Sequence, residues 1–188
     1  MTMTIRPLAV FKTKLYLAPA LPYSSHPTGP FQLISTHSFT QQFFSFQEAD
    51  LTGVNQSATN IDSVGTTILA NGSTWLTTSS HLGVRVSGAA NAPAFADAAW
   101  TDLAGADRSA QRSRAPYTVT GGYEFWFERT FTNSGSSALT VTLAGLIASK
   151  TRKGGTSDYI IVEDAITPNY SLEAGGALIV RYVFSFLV

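Results

Sequence analysis

The chain has 188 residues, of which 44% are hydrophobic and 13% are charged, and its formal net charge is zero. A chain of this length buries enough surface to fold as one domain around a single core. Zero net charge leaves no basic excess to neutralise phosphates, so we predict no direct contact with nucleic acid. The absence of cysteine excludes disulfides, thiolate metal ligands and a cysteine nucleophile.

The low charged fraction, about half of the ~25% that is usual, bears on the surface of the protein. It favours a surface covered by neutral polar residues or partly buried against other subunits. No apolar run reaches the roughly 20 residues of a membrane helix, so we predict no membrane association. Lys12 and Lys14 interrupt the apolar stretch that ends at Leu21, so we do not interpret this stretch as a signal peptide.

Residues 1–30 are rich in proline, which blocks the interiors of helices and central strands. Apolar and aromatic residues are interspersed with the prolines, although disordered segments are usually poor in them. We predict an extended N-terminal arm over residues 1–30 that lies on its own domain or on a neighbouring subunit. Its candidate interface residues are Phe11, Leu15, Tyr16, Leu17 and Tyr23.

The next segment, 31–87, predicts several short strands separated by turns. Phe31–Phe46 is rich in Phe and β-branched residues and is interpreted as one or two strands, whereas Leu51–Asn60 is polar and turn-like. An Asn-Gly pair at 71–72 is typical of a hairpin. Further strands are predicted at Val64–Leu69, Thr74–Thr78 and His81–Val86.

Residues 88–116 are dominated by Ala, Asp, Arg and Ser, and we predict a long loop with room for a short helix around Pro93–Gly105. Two interpretations of its charges remain open. The loop is either solvated, with local ion pairs, or it makes an intersubunit contact. In the second case its candidate interface residues are Trp100, Arg108, Arg112 and Arg114.

The last third of the chain gives the clearest pattern. Within Tyr123–Thr132, one face carries Tyr123, Phe125, Phe127 and Phe131, and the other carries Glu124, Trp126, Glu128 and Thr130. This alternation indicates a strand with one buried face. We interpret the opposite face, with its two glutamates, as a solvent or subunit contact. Further strands are predicted at Ala138–Ser149, Tyr159–Val162 and Ala177–Val188.

Strands with turns at this spacing predict a mainly β protein, with an antiparallel β-sandwich of jelly-roll or immunoglobulin-like order over residues 31–188. The three histidines, His26, His37 and His81, show no metal-ligand spacing, and no nucleophile or phosphate-binding motif is present. We therefore predict no catalytic residues, no metal, no cofactor and no enzymatic activity. Exposed tryptophans in a groove would instead favour a carbohydrate-binding module, with Trp75, Trp100 and Trp126 as its stacking platforms.

The strand that ends in R-x-F-T-N leads into S-x-x-x-T-V-x-x-x-G-L, and a later segment ends in L-x-A-G-G-x-L-x-V-x-Y. This pattern resembles virion proteins of tailed bacteriophages over about a third of the chain. The matching residues are Arg129, Phe131, Thr132, Asn133, Val141, Gly145, Leu146, Leu172, Ala174, Gly175, Gly176, Leu178, Val180 and Tyr182.

The resemblance implies a β-sandwich that packs in many copies on a phage particle, assembled in the host cytoplasm. We expect a capsid decoration (cement) or minor capsid protein. A tail-associated adaptor or fibre subunit and a receptor- or carbohydrate-binding module are the alternatives. The expected partners are copies of the chain itself, as a homo-oligomer, and other virion structural proteins of capsid or tail.

Overall fold

The computed structural model describes residues 10–35, 39–68, 83–90, 93–94, 96, 98–152 and 155–187. Over these residues the chain is mainly β, with two antiparallel sheets and one helix, α1, at Gln41–Thr52. The first sheet contains β1 (Val10–Ala20), β2 (Gln32–Ser35), β6 (Ala106–Arg108), β7 (Arg112–Val119), β8 (Gly122–Asn133) and β11 (Ala177–Leu187). The second sheet contains β3 (Gln56–Thr59), β4 (Gly65–Ile68), β5 (Gly83–Ser87), β9 (Leu139–Arg152) and β10 (Gly155–Leu172).

Each sheet is organised around long strands. In the first, the order is β2-β1-β11-β8, and the short strands β6 and β7 follow one another along the free edge of β8. In the second, β9 pairs with β10 on one side and with β5 and β4 on the other, while β3 pairs with β4. Each sheet therefore combines strands from the first and the second half of the chain.

The larger of two buried hydrophobic clusters among the described residues draws side chains from both sheets. Alternate residues of β11, Leu178, Val180 and Tyr182, are fully buried there, and Val84 of β5 and Leu146 of β9 meet them from the second sheet. This alternation is the period-two pattern that predicted β8, β9 and β11, and those predictions are confirmed. The strand predicted at Tyr159–Val162 is part of the much longer β10.

The prediction of an arm outside regular structure is wrong for Val10–Ala20. This segment is β1, which pairs with β11 over its whole length and with β2 on its other side. Leu15 and Leu17 are 1% and 4% exposed in the core. The physical reason is that residues 10–18 contain no proline, so this stretch can pair on both sides, and Pro19 comes only at the last-but-one position of the strand.

The helix α1 was missed by the sequence patterns, because its run of phenylalanines suggested strands. Its buried face is spaced by three residues, Phe43, Phe46 and Ala49, and the helix ends at Gly53, which adopts a left-handed conformation with φ 68°. The short helix expected around Pro93–Gly105 is absent from the described part of that segment, where the chain is irregular before β6.

Several predicted features lie outside the described residues. They are Thr74–Thr78, the Asn71-Gly72 hairpin, Trp75, His37 and His81.

The described helix α1 is too short and too polar to cross a membrane.

Candidate interaction surface

An aromatic cluster lies at one end of the first sheet, beside α1. Its rings form a connected series that runs from the buried core to the surface. Phe43 and Phe184 are buried, whereas Phe44, Tyr123 and Phe186 are 51%, 54% and 40% exposed. The members of this aromatic cluster are Phe39, Phe43, Phe44, Tyr123, Phe125, Phe127, Phe184 and Phe186.

Ring contacts connect the strands of the cluster to the helix. The Phe125 and Phe184 rings are parallel with centroids 4.8 Å apart, and Phe186 stacks on Phe125 at 5.9 Å. Phe39 connects Phe184, at 6.4 Å, to Phe43, at 4.0 Å. Pairs of this kind add about 0.5–1.5 kcal/mol each beyond the area that they bury.

The register of the first sheet explains why the cluster reaches the surface. Phe125 pairs with Phe184, and Tyr123 pairs with Phe186, on the face of the sheet that packs against the core. Exposure increases toward this end, because Phe184 is 4% exposed and Phe186 is 40% exposed. An exposed group of aromatic side chains that is continuous with the core is typical of a protein-interaction site.

The opposite face of the same sheet carries a chain of ion pairs. Glu128 is only 2% exposed and contacts Arg181 at 2.6 Å and Arg112 at 3.1 Å. The Arg181 guanidinium lies over the rings of Phe31, at 3.8 Å, and Trp126, at 4.6 Å. The expected solvent or subunit contact at Glu128 is therefore wrong, because the chain covers this glutamate itself.

Glu124, on the same face, collects a second set of partners. It accepts hydrogen bonds from Tyr117 at 3.0 Å and from Ser185 at 2.8 Å, and Lys14 lies at 3.7 Å. Burial and the hydrogen bond to Glu124 raise the pKa of Tyr117 above its usual value. Both glutamates therefore connect neighbouring strands.

Residues 21–31, the proline-rich connector between β1 and β2, cross this outer face. The Tyr23 amide donates to the Thr132 hydroxyl at 3.0 Å, and the Thr130 hydroxyl donates to the Ser24 carbonyl at 2.7 Å. Arg112 donates to the Ser25 carbonyl at 2.8 Å. This part of the predicted arm lies on its own domain, one of the two surfaces expected for it.

Trp100 covers the outer face of the second sheet. Its ring occupies the space above Gly145, where a Cβ atom would lie 2.6 Å from Cζ3 of the indole. It also packs over Ile147 and Ile160. Gly145 is therefore required for the close approach of the loop to the sheet.

Asp102 holds this loop in place. It accepts hydrogen bonds from the Trp100 indole at 2.9 Å, from Arg108 at 3.1 Å and from Arg85 at 3.4 Å. Burial lowers the pKa of Arg85, although Asp102 opposes the change. Burial, together with Arg108 and Arg85, lowers the pKa of Arg129 to about 10. Asp102 and Arg108 thus form a local ion pair. The prediction of one loop over residues 88–116 is wrong for β6 and the start of β7, which pair with β8.

Two adjacent carboxylates are buried inside the domain. Glu163 and Asp164 are each 2% exposed, and Ser35 donates to Asp164 at 2.6 Å. Burial and the charge of Asp164 raise the pKa of Tyr182 well above its usual value. Among the described residues, no group of three or more His, Asp or Glu side chains has a geometry suited to a metal ion.

The nine predicted interface residues are therefore dispersed. Leu15 and Leu17 are in the core, so their assignment as interface residues is wrong. The side chain of Phe11 is outside the description, although its backbone pairs with Phe186. Tyr23 is 66% exposed. Tyr16 and Trp100 are half-buried, and Arg108, Arg112 and Arg114 are engaged with Asp102, Glu128 and the Tyr117 ring.

The aromatic cluster was not among the predicted interface residues. Its strand members were assigned to a buried face, and the available signal was the position of Tyr123 and Phe186 at the ends of their strands. Comparison with protein-family models, with curated proteins and with solved structures gives no match for this chain.

Proposed function

We propose that this chain is a non-enzymatic structural component of a tailed-phage virion, either a capsid decoration or a minor capsid protein, that stabilises the particle through subunit contacts. The resemblance of its last third to such proteins supports the proposal. As part of this proposal, we interpret the two antiparallel sheets as the two layers of a β-sandwich. Position on the tail, as an adaptor or fibre subunit, is the alternative.

The aromatic cluster is the observation that carries the proposal of assembly. Phe44, Tyr123 and Phe186 are the exposed members of this cluster, and aromatic residues are enriched where interfaces are most buried. We propose that a second copy of the chain covers this surface. The zero net charge of the chain favours such self-association, because two copies do not repel each other.

The first test measures mass in solution by light scattering over a range of concentrations. We expect the wild-type protein to form a discrete oligomer and the Tyr123→Ser/Phe186→Ser variant to be monomeric, because the substitutions replace the exposed apolar contact with hydroxyls. Leu21→Ser is the matched control, since Leu21 is 63% exposed but outside the cluster. A wild-type monomer at every concentration, or an oligomer unaffected by the double substitution, contradicts assembly through this surface.

The second test addresses the virion itself. Phage particles from the host that encodes this chain are purified on a density gradient, washed, and examined by quantitative mass spectrometry. We expect the chain in the particle fraction, in a fixed ratio to the major capsid protein. Particles that lack the chain contradict the proposal, whatever the oligomeric state of the isolated protein.

A further inference from the structure

A cleft of about 740 Å³ lies between the start of α1 and the β3–β4 hairpin. It is separate from the aromatic cluster, and its walls are almost entirely neutral and polar. Among the described lining residues there are amides and hydroxyls, one carboxylate, Asp62, and two small apolar side chains, Ala58 and Val64. The other lining residues are Gln41, Gln42, Ser57, Thr59, Asn60, Gly65, Thr66 and Thr67.

Two buried amide side chains have fixed orientations in this wall. Gln42, 3% exposed, accepts a hydrogen bond from the Thr59 amide through its Oε1 at 3.0 Å. Asn60, 7% exposed, accepts from the Val64 amide at 2.9 Å through its Oδ1. Because both oxygens are committed to backbone N–H groups, the NH₂ ends are the groups left to face elsewhere.

These NH₂ groups are available to a ligand. Neither nitrogen has a hydrogen-bond partner in the part of the chain that the structure describes, and both residues line the cleft. The hydroxyls of Ser57 and Thr67, which face each other across the hairpin, are likewise without a partner among the described residues. A site of fixed donors and adjustable hydroxyls matches a ligand rich in hydroxyl and carbonyl oxygens.

We propose that this cleft binds a neutral glycan. Asp62, the one charged group among the described lining residues, disfavours sugar acids because of like-charge repulsion. Val64, 54% exposed, offers an apolar contact for a sugar face or an acetamido methyl group. Trp100 and Trp126 do not contribute to this site, because neither of them lines the cleft.

The test is a titration of the ¹⁵N-labelled protein, followed by amide chemical shifts. The probes are lactose, the disaccharide of N-acetylglucosamine, and sialyllactose. We expect saturable shifts in residues 57–67 with at least one neutral disaccharide, and much weaker shifts with the acidic sugar. The absence of shifts with both neutral probes, shifts located elsewhere, or a preference for sialyllactose overturns the proposal.

Matched variants separate the cleft from general effects. Thr67→Trp fills the cleft from an exposed position and is expected to abolish the shifts, whereas Thr140→Trp, at an exposed position of β9 outside the cleft, should preserve them. Gln42→Glu keeps the acceptor for Thr59 but removes the NH₂ donor, and should weaken binding at least tenfold. Retained binding in both Thr67→Trp and Gln42→Glu contradicts the site, and amide dispersion confirms that each variant is folded.

Discussion

Deletion of residues 1–20 is expected to abolish cooperative folding, because β1 is an internal strand of the first sheet. The deletion removes eleven residues that pair with β11 and leaves the edge of β11 uncovered. It also removes Leu15 and Leu17 from the core. Circular dichroism and amide dispersion of the truncated protein measure the outcome.

A single substitution gives the same test without truncation. Leu15→Ala should lower the free energy of unfolding by about 2–5 kcal/mol, the usual cost of deleting a buried leucine side chain. Leu21→Ala, just beyond β1 and 63% exposed, should change it by less than about 0.5 kcal/mol. If the truncated protein unfolds cooperatively at wild-type denaturant concentrations, β1 is a separable arm after all.

Glu128→Ala is the second substitution with a large expected effect. Glu128 is buried between Arg181 and Arg112, and its removal leaves the Arg181 guanidinium beside two aromatic rings without its carboxylate. Removal of one partner of a buried ion pair is strongly destabilising, and we expect a loss of about 3 kcal/mol in the free energy of unfolding. Chemical denaturation measures it.

The Arg112→Ala variant provides an internal comparison for the stability loss expected in Glu128→Ala. The Arg112 side chain is 47% exposed, so Arg112→Ala should cost less than about 1 kcal/mol, as is usual for exposed ion pairs. Glu173→Ala, an exposed glutamate of the β10–β11 turn, serves as the neutral control. Equal effects of Glu128→Ala and Glu173→Ala would show that the ion-pair chain contributes nothing to stability.

Much of the fold was predictable wherever a strand has one buried face. Val180, Tyr182 and Phe184 are large apolar residues at every second position, and they form the core face of β11 in the structure. The helix α1 was not predictable in this way, because Gln42 is part of its buried face and its phenylalanines have a high strand propensity. Tertiary packing decided between the two conformations.

The candidate surfaces were less predictable than the fold. Tyr123 and Phe186 continue the alternating pattern of the core face. They are exposed because the elements packed against this face do not extend far enough to cover them. The proposed binding cleft depends on the side-chain oxygens of Gln42 and Asn60 being held by backbone N–H groups, which leaves their NH₂ groups unused. Side-chain orientation of this kind leaves no pattern in a sequence already rich in neutral polar residues.

The position of β11 has a consequence for biosynthesis. It lies between β1 and β8, so the first sheet joins the earliest and the latest described strands of the chain. During translation, β1 emerges long before the strand that completes it, and both β1 and β8 wait with unpaired edges until residues 177–187 leave the ribosome. Such edges template association with other nascent chains, so slow translation near the end of the message should increase aggregation more than slow translation near its start.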